Sequence, residues 1–558
     1  MTDIRFVSRA GLALAALGSA ASAQVLLTSK LGDKANDRLG SCVRSAGDVN
    51  NDGRPDYVVG APEDGNVLGF GEGFARVYSG ATGAVLYTFN GTSNADRFGT
   101  WVDGAGDVNN DGFADVVVGA PQVSTLGSNR GRVTVHSGAN GATLWTFDGA
   151  VNGDRLGTVV AGVGDVNGDG RPDILTASRE AAGGGTQRGI VRVYSGLNGA
   201  ILHTLNGTAN SQRFGLAADG MGDVTGDGRA DFVVSSLTAG VKVYNGSTGA
   251  VLYTLTAPSG DDLFGASVAS IADLTGDGVR DLLVGATQDT NIFNQGVGYV
   301  RLYNGATGAF VRTHQGSTIG DRFGIACADG GDLTGDGLSE ILVGADQFNN
   351  AFPGFVRVFD GATGIALHTF PGAVDGDRFG YSVDRLGDVN GVAGLEIGIG
   401  APDNMTAFQK QGRAEVWTVT LTGGCATPYT YCASANNSTG QPALISHTGT
   451  VSVAANDFTL VCAGLPANTN GLFYYGTTET QQVFGNGYRC VNGSVFRLGI
   501  QSASAGGVMT RLLDIPNLPL AGAVTAGSTK KFQCWYRNPA AGGAGFNLSN
   551  GLSATFCP

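Results

Sequence analysis

One acidic nine-residue segment recurs six times in this chain, and its spacing restricts the fold more than any bulk property does. The first copy runs Asp48-Val-Asn50-Asn-Asp52-Gly53-Arg54-Pro-Asp56, and the others begin at Asp107, Asp165, Asp223, Asp273 and Asp332. Each keeps a carboxylate at positions 1, 5 and 9 and glycine at position 6. A seventh copy at Asp388 keeps Asn390 and Glu396 but has Val392 at position 5. Successive starts lie 59, 58, 58, 50, 59 and 56 residues apart, too regular for chance and too long for a solenoid of short coils.

Alternate residues of a tight turn can aim their oxygens at one centre, which suits a hard cation wanting about six to eight oxygen ligands; calcium is the natural candidate. The expected ligands are the side chains at positions 1, 3, 5 and 9 and the carbonyl of position 7. They are Asp48, Asn50, Asp52 and Asp56 with Arg54; Asp107, Asn109, Asp111 and Asp115 with Phe113; and Asp165, Asn167, Asp169 and Asp173 with Arg171. The later loops give Asp223, Thr225, Asp227 and Asp231 with Arg229; Asp273, Thr275, Asp277 and Asp281 with Val279; and Asp332, Thr334, Asp336 and Glu340 with Leu338. Up to six ions are expected, with the seventh loop weak or empty, and threonine at position 3 predicts weaker binding in the last three. A strand, not a helix, follows position 9 (Tyr57-Val58-Val59), so these are not helix-loop-helix calcium sites. Three unpaired carboxylates crowded into one turn would repel each other without a cation.

Eighteen of the 47 acidic residues sit in the six loops, three in each, which gives the net charge of −13 a local origin. That charge, with no Lys/Arg cluster, excludes a nucleic-acid backbone as partner. With 93 glycines, 42% hydrophobic and 15% charged residues, the chain reads as turn-dense and all-β.

Residues 1–23 place Arg5 and Arg9 before a small apolar run and end Ala21-Ser22-Ala23, the pattern of a secretory signal. No later run reaches the roughly 18 apolar residues of a membrane span, so a secreted or cell-surface protein is expected.

Between residues 24 and 421 every period has the same order: Asp96-Arg97-Phe98-Gly99, an inner strand, the acidic loop, the strand Val116 to Pro121, a variable loop, the strand Arg132 to His136, a Ser-Gly-Ala-Asn-Gly turn and the strand Ala142 to Phe147. Four short strands per unit, each bounded by Gly/Asn/Asp turns, predict propeller blades, and seven periods predict seven of them. The seventh period lacks its last strand. Val25-Leu26-Leu27-Thr28 before Asp37-Arg38-Leu39-Gly40 matches Val85-Leu86-Tyr87-Thr88 before Asp96-Arg97-Phe98-Gly99, so an N-terminal strand is expected to close the last blade.

Phe98-Gly99 and Gly119-Ala120-Pro121 flanking an acidic loop resemble the FG-GAP repeat, the unit of the integrin alpha-chain propeller, over roughly residues 24–421. The full Gly-Ala-Pro form recurs at Gly60-Ala61-Pro62 and Gly400-Ala401-Pro402 and drifts elsewhere, as at Thr176-Ala177-Ser178 and Gly344-Ala345-Asp346. The resemblance implies a calcium-bearing scaffold that recognises another macromolecule, although such propellers also occur beside enzyme domains.

Residues 425–558 drop the acidic loops and hold Cys425, Cys432, Cys462, Cys490, Cys534 and Cys557 in alternating β-type sequence. A disulfide-bearing, sandwich-like β module is expected, with fifteen pairings open. Its Gly471-Leu-Phe-Tyr-Tyr-Gly476, Gly485-Asn-Gly-Tyr-Arg-Cys490 and Cys534-Trp-Tyr-Arg-Asn-Pro539 stretches resemble a C-terminal module of secreted bacterial propeller proteins, for which sorting, surface attachment and carbohydrate contact are all open.

No histidine pair at metal spacing, nucleophile elbow or dinucleotide fingerprint is present. His136, His203, His314 and His368 read as repeat variants of aromatic positions on outer strands, the Asp-Arg before Phe-Gly as a scaffold ion pair or turn bond, and Cys42 and Cys327 as buried free thiols. Asn90-Gly-Thr92, Asn206-Gly-Thr208 and Asn245-Gly-Ser247 fit the glycosylation pattern but read as ordinary turn sequence. Strand alternation puts the acidic loops on one face and the variable loops, with Phe70, Arg179, Phe293, Phe348, Phe352 and Phe408, on the other. The expected function is recognition of an extracellular protein or glycan, without catalysis. The alternatives are a hydrolase or lyase acting on polysaccharide or phosphoester, and a structural envelope protein.

Overall fold

The computed structural model describes residues 23–63, 71–181, 185–258, 262–291, 294–347, 353–392, 394–404, 410–421, 428–451, 453, 456–519, 522–525 and 528–556. Residues 1–22 of the expected secretory signal, Cys425 and Cys557 lie outside them. No α-helix occurs among the described residues, and no helix is long and apolar enough to cross a membrane.

Residues 23–421 form seven four-stranded antiparallel sheets, one for each acidic loop. The first comprises Cys42–Gly47, Asp56–Ala61, Phe74–Tyr78 and Val85–Asn90 in that order; the second comprises Trp101–Gly106, Asp115–Ala120, Arg132–His136 and Thr143–Asp148. The second strand of each is buried at nearly every position, because both its faces lie against neighbouring sheets; the fourth alternates exposed and half-buried residues. The first strand of each sheet lies against the first strand of the next, and that of the seventh, Ser382–Gly387, lies against Cys42–Gly47. A propeller therefore closes on itself, its inner strands around a central channel.

The N-terminal strand, Ala23–Leu31, pairs antiparallel with Arg413–Thr420 and is the outer strand of the seventh sheet, as the repeat offset predicts. It runs longer than Val25 to Thr28. Beyond it, Leu39 is fully buried against Val43, Tyr57 and Val416.

The Phe-Gly and Gly-Ala-Pro glycines meet where successive sheets touch. A Cβ on Gly60 would lie 2.1 Å from the carbonyl oxygen of Gly99, which itself has a φ of 82°. Neither position tolerates a side chain. The outer strands add a second link. Tyr87, Trp145, His203 and Tyr253 each bond the carbonyl of the turn glycine in the following sheet, at 2.6–2.9 Å. His203 is thus a variant fastener, in keeping with its aromatic repeat position.

Residues 428–556 form a six-stranded sheet, a three-stranded sheet and a hairpin. Ile445 and Leu460 of the three-stranded sheet share a core with Phe473, Phe532 and Phe556 of the chain around the six-stranded one. Cys432 pairs with Cys490, while Cys462 and Cys534 are buried thiols beside one another.

Candidate functional site

Each acidic loop is shaped by its own carboxylates. In the first, Asp48 accepts the N–H groups of Asp52 and Gly53 at 3.0 and 2.8 Å, Asn50 accepts that of Asp52, and Asp52 accepts that of Arg54. Glycine at position 6 is left-handed in every copy, with φ of 82–91° from Gly53 to Gly337. A Cβ at Gly53 would meet nothing within 4 Å, so backbone conformation and not space demands glycine. Position 4 is left-handed as well, at Asn51, Asn110 and the glycines of the later copies, a requirement the carboxylate pattern had not exposed.

Position 9 is the first residue of the second strand and is fully buried. Asp56 accepts the N–H of Val49 at 2.9 Å and that of Gly80, in the turn between the third and fourth strands, at 2.8 Å. The same pair of bonds recurs at Asp115 and Asp173. The carboxylates are therefore not unpaired, contrary to the expectation from crowding. Each still has lone pairs beyond these bonds. Burial raises Asp56, Asp115 and Asp173 to about 6 against the pull of their backbone donors, and the carboxylates at positions 5 and 1 add to the rise. A bound cation would reverse that shift.

In the third to sixth sheets the turn between the third and fourth strands reaches the loop with one more side chain, which sequence reasoning missed. Ser195 donates to Asp169 at 3.2 Å, Asn245 to Asp227 at 2.9 Å and Asn304 to Asp277 at 2.5 Å. In the sixth sheet that residue is Asp360, and oxygens of Asp336, Glu340 and Asp360 lie within 4.8 Å of one another. Glu340, raised by burial to about 8, replaces the usual aspartate at position 9. All the donors of these loops are oxygens, the set a hard cation such as calcium accepts and a softer metal does not require. In the seventh loop neutral donors surround the position-9 carboxylate: Asn390 and Thr418 bond Glu396 at 2.7 and 2.8 Å.

The Asp-Arg row is structural in its aspartates. Asp37 and Asp96 accept turn N–H groups. The arginines sit in left-handed backbone, with φ of 47–59° from Arg38 to Arg378. Several make ion pairs: Arg38 with Asp403 at 2.6 Å, Arg155 with Glu180 at 2.5 Å, and Arg322 and Arg378 with the fully buried side chain of Asp346. His136 and His314 are held well below the usual imidazole range, at about 4, by burial. His136 also bonds Thr134 at 2.9 Å.

On the variable-loop side, Arg179 lines a channel cavity of about 560 Å³. Phe70, Phe293, Phe348, Phe352 and Phe408 lie outside the described residues. Deeper in the channel, Arg44 faces Asp103, Asp219 and Asp384, each of which also accepts a backbone N–H from a neighbouring inner strand. A second cleft, of about 520 Å³, opens in residues 428–556 among Trp535, Phe546, Phe484, Arg489 and Arg497.

The FG-GAP repeat model matches residues 98–136, 156–194 and 264–303. Integrin alpha-V of Gallus gallus is 30% identical over 208 residues, 35% of this chain and 19% of the relative. Integrin alpha-5 of Xenopus laevis is 31% identical over 209 residues, again 35% and 19%. Phosphatidylinositol-glycan-specific phospholipase D of Bos taurus is 33% identical over 193 residues, 30% of this chain and 22% of the relative. The chain thus spans about a fifth of each relative's length.

Proposed function

For an FG-GAP repeat protein that resembles the integrin alpha-chain propeller, we propose recognition of an extracellular protein or glycan through the variable-loop face, on a scaffold fastened by calcium at the opposite face. The observation that carries this reading is the division of labour around the ring. One face repeats an all-oxygen loop six times; the other varies in length and composition from sheet to sheet.

The proposed ions would be held by the carboxylates at positions 1, 5 and 9 with the position-3 side chain and position-7 carbonyl, joined in the sixth sheet by Asp360. A bound ion would supply charge neutralisation and no chemistry. Each site binding only the folded chain adds RT ln(1 + [L]/Kd), about 2.7 kcal/mol at a hundredfold excess over Kd. Calorimetry of the full chain with calcium and with chelator is the test. Loss of several ions should lower the melting temperature by more than 10 °C or so; superimposable profiles would refute the calcium reading. Capture on a glycan array or by extracellular proteins, lost with chelator, would support recognition.

The phospholipase D relatives favour a second reading, in which such a propeller accompanies catalysis. We assign no catalytic residue to this chain. Hydrolysis of a phosphoester or polysaccharide by the purified protein would establish that reading in place of ours.

A further inference from the structure

We infer that the channel mouth on the variable-loop side binds an oxyanion, a carboxylate or sulfate group held between the guanidinium groups of Arg179 and Arg213.

Seven arginines and four aspartates line the cavity of about 560 Å³, in a protein whose net charge is −13. Five of the seven have an account in the fold. Arg280 pairs with Asp329 at 3.4 Å, Arg322 and Arg378 share Asp346, Arg44 lies among Asp103, Asp219 and Asp384, and Arg385 stands beside Asp384. Arg179 and Arg213 differ. Among the described residues neither side chain makes an ion pair or a hydrogen bond; Arg179 bonds Thr158 and Arg213 bonds Gln187 through backbone N–H groups alone. Glu180, the carboxylate next in sequence to Arg179, is engaged by Arg155 at 2.5 Å.

The two arginines come from different parts of the repeat. Arg179 follows the strand Asp173–Ser178, and Arg213 precedes the inner strand of the next sheet, in left-handed backbone with a φ of 47°. Burial, with Arg213 and Arg97 close by, holds the Arg179 guanidinium below its usual range, opposed by Tyr381 and Glu180. Like charges gathered in a partly desolvated recess without a directly paired counter-charge are unfavourable. Two forked guanidinium groups beside the Tyr381 phenol form the donor set that recognises carboxylate or sulfate. The channel carboxylates are engaged elsewhere: Asp103, Asp219 and Asp384 surround Arg44, and Asp329 pairs with Arg280.

Entry from the variable-loop face rests on the function proposed above, whereas the site itself rests on the two guanidinium groups. The test is thermal-shift and calorimetric titration of the full calcium-loaded chain with sodium sulfate and with sodium glucuronate, against sodium chloride at matched ionic strength. Saturable stabilisation by either oxyanion, absent with chloride, is expected; tighter binding of glucuronate would identify a sugar acid as the source of the group, and equal binding a bare oxyanion site. Arg179→Gln and Arg213→Gln should each weaken binding about tenfold or more. In chloride alone they should melt at or above the parent temperature, because a repulsion is removed. Lys34→Gln, at a side chain 62% exposed, is the control and should leave binding unchanged. No saturable effect in the parent, or parental affinity in both arginine variants, would overturn the proposal. So would equal destabilisation of the variants in every salt, the mark of a purely structural role. Failure here with calcium-dependent ligand capture retained would leave the proposed function standing.

Discussion

Ring closure by the N-terminal strand can be separated into two energetic parts by two truncations. Among the described residues, a chain beginning at Gly32 loses only Ala23–Leu31, whose Val25, Leu26, Leu27 and Leu31 are 51, 43, 41 and 38% exposed. Little apolar area is recovered there, and the ladder bonds, worth about 1 kcal/mol each net, are largely offset by ordering nine residues. About 1–3 kcal/mol should be lost, together with the Lys30 bond to Gly83. A chain beginning at Gly40 also loses Leu39, fully buried, which costs about 2–5 kcal/mol by large-to-small core precedent. It further removes Arg38, the partner of Asp403, itself 8% exposed, for about 1–3 kcal/mol more. The second truncation should therefore cost about 4–11 kcal/mol, comparable with the net stability of many domains. Urea unfolding in calcium, followed by tryptophan fluorescence and far-ultraviolet dichroism, measures both. Equal midpoints for the two truncations would refute the assignment of the larger share to Leu39 and Arg38. A Gly40-start chain as stable as the parent would refute closure itself.

Further outcomes follow from particular residues. Asp360→Ser should raise stability in chelator by about 1–3 kcal/mol, by removing one of three close carboxylates, and shrink the gain on adding calcium; an unchanged gain would detach Asp360 from any ion. Burial raises Asp103 to about 8 and Asp219 to about 6 and also raises Asp384, with Arg44 opposing all three. Folded carboxyls with raised affinity bind protons the unfolded chain has released, so their contribution is full below about pH 4 and is lost as pH rises through 6 to 8. Asp103→Asn should flatten the fall in melting temperature between pH 6 and 9, and a parental slope would contradict this. Replacing Cys432 and Cys490 together by alanine should cost about 4 kcal/mol in the chain-entropy account of a cross-link spanning 58 residues, read as a lowered unfolding midpoint confined to residues 428–556.

What the sequence disclosed was whatever repeats. Seven periods yielded seven sheets, the offset N-terminal strand yielded closure, and glycine at position 6 marked a turn residue that the structure holds in left-handed backbone, which glycine adopts most readily. Cys42 and Cys327 were legible as buried free thiols from their unequal distances to the acidic loops. Asp360 was not, because it lies in a different turn from its loop and replaces a serine or asparagine that only hydrogen-bonds there. Nor was the meeting of Arg179 with Arg213, since one follows a second strand and the other precedes a first strand, and only ring geometry brings them to one recess. Crowding alone predicted unpaired carboxylates. The backbone supplied donors that the one-letter pattern does not display, because every residue carries an N–H whatever its side chain.

Those donors make each acidic loop a fastener between sheets as well as a turn within one. The position-9 carboxylate holds the N–H of the turn glycine, and the carbonyl of that same glycine accepts Tyr87, Trp145, His203 or Tyr253 from the preceding sheet. Position 8 adds a direct link, since Ala114 donates to the carbonyl of Asp48 at 2.9 Å and Ala230 to that of Asp165 at 2.8 Å. Anything that stiffens one loop therefore restrains two neighbouring sheets. In the seventh loop Asn390 and Thr418, neutral groups of the same sheet, hold Glu396, while the N-terminal strand ties down that sheet's outer edge. A fastener can be replaced singly without altering what the ring presents on its other side. That separation leaves the variable-loop face, with Arg179 and Arg213 at its centre, free to differ from sheet to sheet.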